Sequence, residues 1–441
     1  MRVNRACFVL GVVSVVWFAG GHAIAAEVEP VFPGKHWQTR TPAELGLDAA
    51  GLARFSEIVG GRGCVVRYGY MAYTWGDATR AADVASASKP FYSHLMFQAI
   101  VEGRLAGPDV KVAKYRPELN SLDANLGYKD RQMTFRHLAY QTACLGYREP
   151  PGTAFDYNDR TMALFWDTLV NVVYGVPWEE ADARLFRPKL ADPLEFEDAF
   201  TANGGKSGRP NISPRDFARF GLLYLNRGKW RDRQVFDARY AAMAISEPLR
   251  LSIPRTKGEP AETVPTRSIG GKGNQCDHNG GYSWLWWLNR PARDGHLWYA
   301  DAPGDMFMAL GHGGRRGMAV MPSLGLIVSW NDAGELHVER SLGDRAFAAL
   351  ARAAGWKPAE PRPSEESRPA PDETVERMPL REGQDELDDP AAPRGQILID
   401  PKRPQWLKRN GGRHVFICVS AWAKPSSLGD EVALWVRRAG R

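Results

Sequence analysis

Hydrophobic and polar positions change rhythm several times along the chain, and each rhythm predicts a different element. Residues 64–67 and 71–75 are short β-prone runs joined by Tyr68-Gly69-Tyr70, the signature of a hairpin. Residues 318–321 and 326–330 bracket Pro322-Ser323-Leu324-Gly325 in the same way, and a helical period over 342–354 ends at Gly355. An early hairpin, a late hairpin and a terminal helix predict one antiparallel sheet closed by both ends of the domain. Between them the pattern is mostly helical. Ser213-Pro214-Arg215-Asp216 combines an N-cap, a first-turn proline and an acidic third residue. Phe217, Phe220, Gly221, Tyr224 and Leu225 follow at helical spacing, with Gly228 as the expected C-cap, which predicts an amphipathic surface helix. After Ser86 the apolar residues from Phe91 to Val101 cover nearly every face, so a buried central helix is expected, ending near Gly103.

The two ends of the chain follow other rules. Residues 1–5 carry two arginines, residues 6–21 are an apolar run short for a membrane span, and Ala23-Ile24-Ala25 is a small-x-small sequence. Residues 1–25 therefore read as a signal peptide cleaved before Ala26, against the alternative of an uncleaved anchor. The mature protein is expected in the periplasm or outside the cell, with no stable membrane insertion. Residues 357–395 are rich in Pro, Glu, Asp and Arg with little to bury, which predicts a linker. Residues 396–441 regain strand-like character over 397–418 but form a tail too short to stand as an ordinary domain. Residues 26–356 remain as one α/β (α+β) domain.

Composition refines this picture only slightly. With 44% hydrophobic and 24% charged residues the chain folds, and its net charge of +6 comes from lysines and arginines interspersed with acids, so no nucleic-acid partner is expected. Cys64, Cys144, Cys276 and Cys418 lie beyond the leader without zinc or redox spacing; a Cys144–Cys276 disulfide is one of the pairings open to them. Asp277, His278 and His312 lack ligand-like spacing, so neither a metal nor a cofactor is expected. There is no G-x-S-x-G, H-E-x-x-H or complete phosphate-binding loop.

Ser86 and Lys89 are three residues apart at the start of the buried helix, so both side chains share one face. Serine needs a base, and a lysine in a partly desolvated site with a lowered pKa supplies one. Further along, Pro151-Gly152-Thr153-Ala154-Phe155-Asp156-Tyr157-Asn158-Asp159 leads into a helical run, and Gly311-His312-Gly313-Gly314 precedes a strand. Ser86-Ala87-Ser88-Lys89, Pro-Gly-Thr-x-Phe-x-Tyr and His-Gly-Gly, in that order, resemble the three motifs of class C β-lactamase-related serine hydrolases, the penicillin-recognising family that includes esterase and aminohexanoate-oligomer hydrolase branches.

The resemblance implies a β-lactamase/transpeptidase-like fold, an antiparallel sheet flanked by helices plus a mostly helical subdomain. It implies Ser86 as nucleophile, Lys89 as its base, Tyr157 as proton carrier and Asp159 in a supporting position where relatives carry asparagine. It places His312 where β-lactamases carry lysine, assigns the oxyanion hole to the backbone N–H groups of Ser86 and Arg315, and offers Arg315, Arg316 and Trp284 to the substrate. The plainer reading of the tryptophan-rich segment from Tyr282 to Trp287 is core packing. The expected activity is hydrolysis of a small ester, amide or peptide-like substrate through an acyl-enzyme. The alternatives are a β-lactamase or D,D-peptidase, and a catalytically silent cell-wall or glycan-binding homologue.

Overall fold

The computed structural model describes residues 31–202, 208–267 and 273–357, with the backbone of two short strands near the C-terminus. The chain divides into two compact units, Met1–Pro358 and Ala359–Arg441. In the second, Trp406–Lys408 pairs antiparallel with His414–Phe416, inside the stretch read as strand-like.

In the first unit the two hairpins form as expected. Strands β1 (Arg62–Arg67) and β2 (Tyr70–Trp75) turn through Tyr68 and Gly69, both at positive φ. The other strands of the main sheet are β3 (Tyr282–Ser283), β4 (Trp286–Leu288), β5 (Phe307–Gly311), β6 (Arg316–Met321) and β7 (Leu326–Asn331). They form a seven-stranded sheet in the order β2-β1-β7-β6-β5-β4-β3. The first and last hairpins meet through β1 and β7, with Cys64 opposite Ser329 and Val66 opposite Ile327. Every residue of β1 and β7 is buried, because helices cover both faces.

One cover is the pair Ala49–Val59 and Arg340–Ala353, which pack on each other and send Phe55 against Trp75 and Phe347 against Trp330. The other is the helix Pro214–Leu225, which lies on β1, β6 and β7. This helix departs from its expected surface role: Pro214 and Asp216 through Tyr224 are all buried, and it ends at Leu225 before Asn226. Its polar face is buried too, with Arg219 donating to Gly34 O at 3.0 Å and Leu194 O at 3.2 Å. Gly221 permits the close approach, since a Cβ there would stand 2.6 Å from Met318 Sδ.

The helix Lys89–Val101 runs through the core, ten of its thirteen residues buried, and stops before Gly103 at φ 72. Residues 112–202 supply the helical subdomain, built from short turns, the helices Phe135–Ala139 and Asp159–Asp167, and the wider helical turns Thr168–Val173 and Asp182–Ala191. The fold is thus the expected sheet flanked by helices with a helical insertion, in the β-lactamase/transpeptidase-like class.

Candidate active site

Ser86 lies in the 3-10 turn Ala85–Ser88, immediately before the α-helix and not within it. Ala85 holds a positive φ of 50°, a costly conformation for a residue with a side chain. Two bonds brace it: Ala85 N–H donates to Asp83 Oδ1 at 2.6 Å, and Ser88 Oγ donates to Ala85 O at 2.7 Å. Ser86 stays partly exposed while Ala85, Ala87, Ser88 and Lys89 are buried. The end of β5 abuts this turn so closely that a Cβ on Gly311 would meet Val84 O at 2.4 Å and Ser86 N at 3.1 Å. Glycine is required there by the approach of two backbones.

Three predicted side chains converge on the serine. Lys89 Nζ donates to Ser86 Oγ at 2.7 Å, stands 4.4 Å from the centre of the Tyr157 ring and lies 3.6 Å from Asp159 Oδ1. Asn158 caps the helix Asp159–Asp167 by accepting from Thr161 N–H, which sets Asp159 on its first turn facing the lysine. The expected lowering of the Lys89 pKa does not occur. Burial alone would lower it, but Tyr157 and Asp159 together outweigh that and hold the ammonium above its ordinary value. Burial also raises the Tyr157 phenol, with Lys89 and Ser86 pulling the other way. The resting pair is therefore an ammonium beside a neutral phenol.

The aromatic segment is a tight hairpin, with Trp284 (φ 47°) and Leu285 (φ 73°) as its turn. That breaks the alternation of a strand and sends Trp284 away from the cleft. Trp284 is fully buried between Phe97 and Tyr140, with its Nε1 donating to Glu247 at 3.2 Å, so it belongs to the core and not to a substrate pocket. Tyr282 and Trp287 instead flank Tyr157, with ring centres 5.9 and 5.8 Å from it. A further group that motif reading missed lies in residues 273–278. Gln275 N–H donates to Tyr157 O at 2.9 Å, Gln275 Nε2 donates to Asp159 Oδ2 at 3.3 Å, and Cys276 interacts electrostatically with Lys89.

On the other side of Ser86, His312 is exposed at the end of β5. Partial burial, then Arg316 and Arg209, push its pKa down, so it is neutral at pH 7. The three predicted roles of the neighbouring arginines change. Arg315 N–H already donates to His312 O at 3.2 Å, which removes it from the set of free oxyanion donors. The Arg315 side chain reaches Glu335 at 3.2 Å, while Arg316 lies 3.1 Å from Asp83, which Arg209 also grips. Each guanidinium is thus already in an ion pair, Arg315 in an exposed one.

Cys144 and Cys276 are both free, as is Cys64, so the disulfide considered above does not form; Cys418 lies outside the described residues. Cys144 Sγ is instead directed at Ala154 O at 3.4 Å. His278 is occupied, its Nε2 2.8 Å from Ile253 O and its Nδ1 accepting from Gly280 N–H. Among the described residues no cluster of His, Cys, Asp or Glu is arranged to hold a metal ion.

Asp156, next to the tyrosine, is fully buried, and burial pushes its carboxyl up to about 7 against the hydrogen bond from Asn158 Nδ2. A folded-state pKa above the unfolded value gives stability at low pH that is lost as pH rises through about 7. Asp156→Asn keeps an oxygen for Asn158 and removes the buried charge. It is expected to raise Tm by about 2–6 °C at pH 8 and by much less at pH 5; calorimetry at the two pH values checks this.

A helix-covered sheet whose strand β5 abuts a turn carrying a serine, with a lysine one turn on and a facing tyrosine, is the arrangement of a serine-hydrolase fold. The chain belongs to the beta-lactamase family, whose model, described as Beta-lactamase, matches residues 55–351. No curated protein matches the chain. Among solved structures, one described as "Putative 6-aminohexanoate-dimer hydrolase from Bacillus anthracis" is similar at 14% identity, covering 72% of this chain and 87% of that one with a TM-score of 0.50. EstCE1, described as a hydrolase with promiscuous acyltransferase activity, is similar at 14% identity over 68% and 98% of the two chains, TM-score 0.48. A β-lactamase/D-alanine carboxypeptidase from Pseudomonas syringae gives 14% identity over 69% and 98%, TM-score 0.45. Likeness at such identity shows the fold alone.

Proposed function

We propose that this protein is an exported serine hydrolase that cleaves a small ester or amide through an acyl-enzyme on Ser86. The observation that carries the reading is the 2.7 Å bond from buried Lys89 to the partly exposed Ser86, with Tyr157 against the same ammonium. Export rests on the leader-like residues 1–25.

In this mechanism Ser86 Oγ attacks the carbonyl carbon and its proton passes to the Lys89–Tyr157 pair, in the minority form that has lost one proton. Ser86 N–H holds the developing oxyanion, while Arg315 N–H is engaged with His312 O and is not free to join it. Tyr157 returns the proton to the leaving group. Water then attacks the acyl-enzyme by the same route and frees the serine.

A neutral His312, where β-lactamases carry a lysine, favours a substrate without a carboxylate at that end. This speaks for an ester or amide over a D,D-peptidase substrate. Short-chain p-nitrophenyl esters are expected to be turned over while a chromogenic cephalosporin is left intact. Efficient cephalosporin turnover would replace this reading by a β-lactamase, and neither activity would favour a binding homologue.

Asp159 also makes a prediction here. Its carboxylate favours the charged lysine, so activity is expected to rise toward alkaline pH as the Lys89–Tyr157 pair titrates. Asp159→Asn retains an oxygen for Gln275 Nε2 and removes the charge. It should move that rise to lower pH and increase ester turnover at pH 7 severalfold, read from pH–rate profiles of the two proteins. An unmoved profile would remove Asp159 from the electrostatics of the base.

A further inference from the structure

Tyr157 sits in an extended segment that belongs to no strand, yet its amides are bound like those of a central strand. Backbone N–H groups of successive extended residues point to opposite sides. On one side, Gln141 accepts twice: its carbonyl oxygen takes Asp156 N–H at 2.7 Å and its side-chain Oε1 takes Asn158 N–H at 3.2 Å. On the other, Asn274 Oδ1 accepts Tyr157 N–H at 3.1 Å and also Cys276 N–H at 3.3 Å. One residue on each side thus stands in for a neighbouring strand.

Gln141 is built for this position. It is fully buried, and its backbone adopts a positive φ of 54° just after the helix Phe135–Ala139, which is strained for a residue with a side chain. Its Nε2 is anchored on Leu138 O at 3.1 Å and Met162 Sδ at 3.3 Å, so the amide is fixed at both ends. A hydrocarbon of the same length would leave Asn158 N–H buried without this acceptor and release one flank of Tyr157.

We propose that Gln141 and Asn274 form an amide clamp that holds the Tyr157 phenol in register with Ser86 and Lys89, and that both are positioning residues for acyl transfer. The inference rests on the reading of Tyr157 as proton carrier. Proton transfer demands close placement of the phenol, and a displacement of about 1 Å costs up to about 100-fold in rate. Binding of the substrate does not pass through the clamp, so its loss lowers kcat and leaves KM nearly unchanged.

The test is a double-mutant cycle on alkyl-ester hydrolysis. Gln141→Met is expected to lower kcat about 10- to 100-fold, and Asn274→Leu to act in the same direction. Asn274→Asp retains an acceptor oxygen at a partly exposed position and should recover most of the rate lost in Asn274→Leu. In a Tyr157→Phe background, Gln141→Met should cost nothing further, because the group it positions is gone. An undiminished rate in Gln141→Met, equal losses in Asn274→Leu and Asn274→Asp, or the same loss with and without the Tyr157 hydroxyl would each overturn the clamp. Wild-type activity in Tyr157→Phe alone would instead overturn the reading of Tyr157 and take the clamp with it. The two failures are distinguishable, since the clamp fails alone only where Tyr157→Phe is impaired.

Discussion

Replacing Ser86 with alanine is expected to lower p-nitrophenyl ester turnover by at least about 10³-fold with little change in stability. Both halves follow from how the turn is built. The side chain that braces the strained Ala85 is Ser88, whose Oγ bonds to Ala85 O, and the backbone brace is Asp83. Ser86 Oγ takes no part in either bond and faces Lys89, which keeps Asp159 at 3.6 Å when the hydroxyl is gone. The variant therefore keeps its turn and loses only the atom that becomes acylated. Intact mass measurement during turnover gives an independent reading: an acyl adduct on the wild-type protein and none on Ser86→Ala. Equal turnover by both proteins would mean that another residue is the nucleophile, whatever the geometry around Lys89.

The elements that sequence periodicity identified well are those whose neighbours are close in the chain. Each hairpin is defined by two β-prone runs and a short turn, and β1/β2 and β6/β7 appear where that grammar places them. The helix Pro214–Leu225 was harder because its apolar stripe is genuine but incomplete evidence. Arg219 reads as solvent-facing until Gly34 and Leu194, remote in sequence, supply carbonyls that let it be buried. Trp284 takes the core position of the plainer reading and not the substrate contact of the resemblance. A strand rhythm through the tryptophans hides a turn at Trp284-Leu285, and only Tyr282 and Trp287 reach Tyr157.

In the site, identity was legible and electrostatic sign was not. Spacing put Lys89 beside Ser86, and the family resemblance named Tyr157 and Asp159, which lie against the same lysine. Burial of Lys89 argues for a lowered pKa, but the result is set by Tyr157 and Asp159, whose contributions depend on distances that spacing does not carry. Gln141 and Asn274 carried no signal at all, since each acts on the backbone of a segment far away in the chain.

Tyr157→Phe is the second large effect, and its dependence on the leaving group is more telling than its size. The ring stays, so its contacts with Phe155, Tyr282 and Trp287 persist and Tm should change little. What is lost is the hydroxyl beside Ser86 and Lys89. A positioned proton donor is worth about 10²–10⁴ in rate, but only where the leaving group needs a proton. An alkyl alkoxide or an amine does; p-nitrophenolate, stable as an anion at neutral pH, does not. Alkyl-ester or amide turnover should therefore fall about 10²–10⁴-fold, while acylation by a p-nitrophenyl ester falls much less. Stopped-flow acylation rates with the two leaving groups measure this directly. A uniform loss would place Tyr157 in activating the serine, where Lys89 is then not the proximate base. An unequal loss would divide the labour, with Lys89 serving the nucleophile and Tyr157 the departing group.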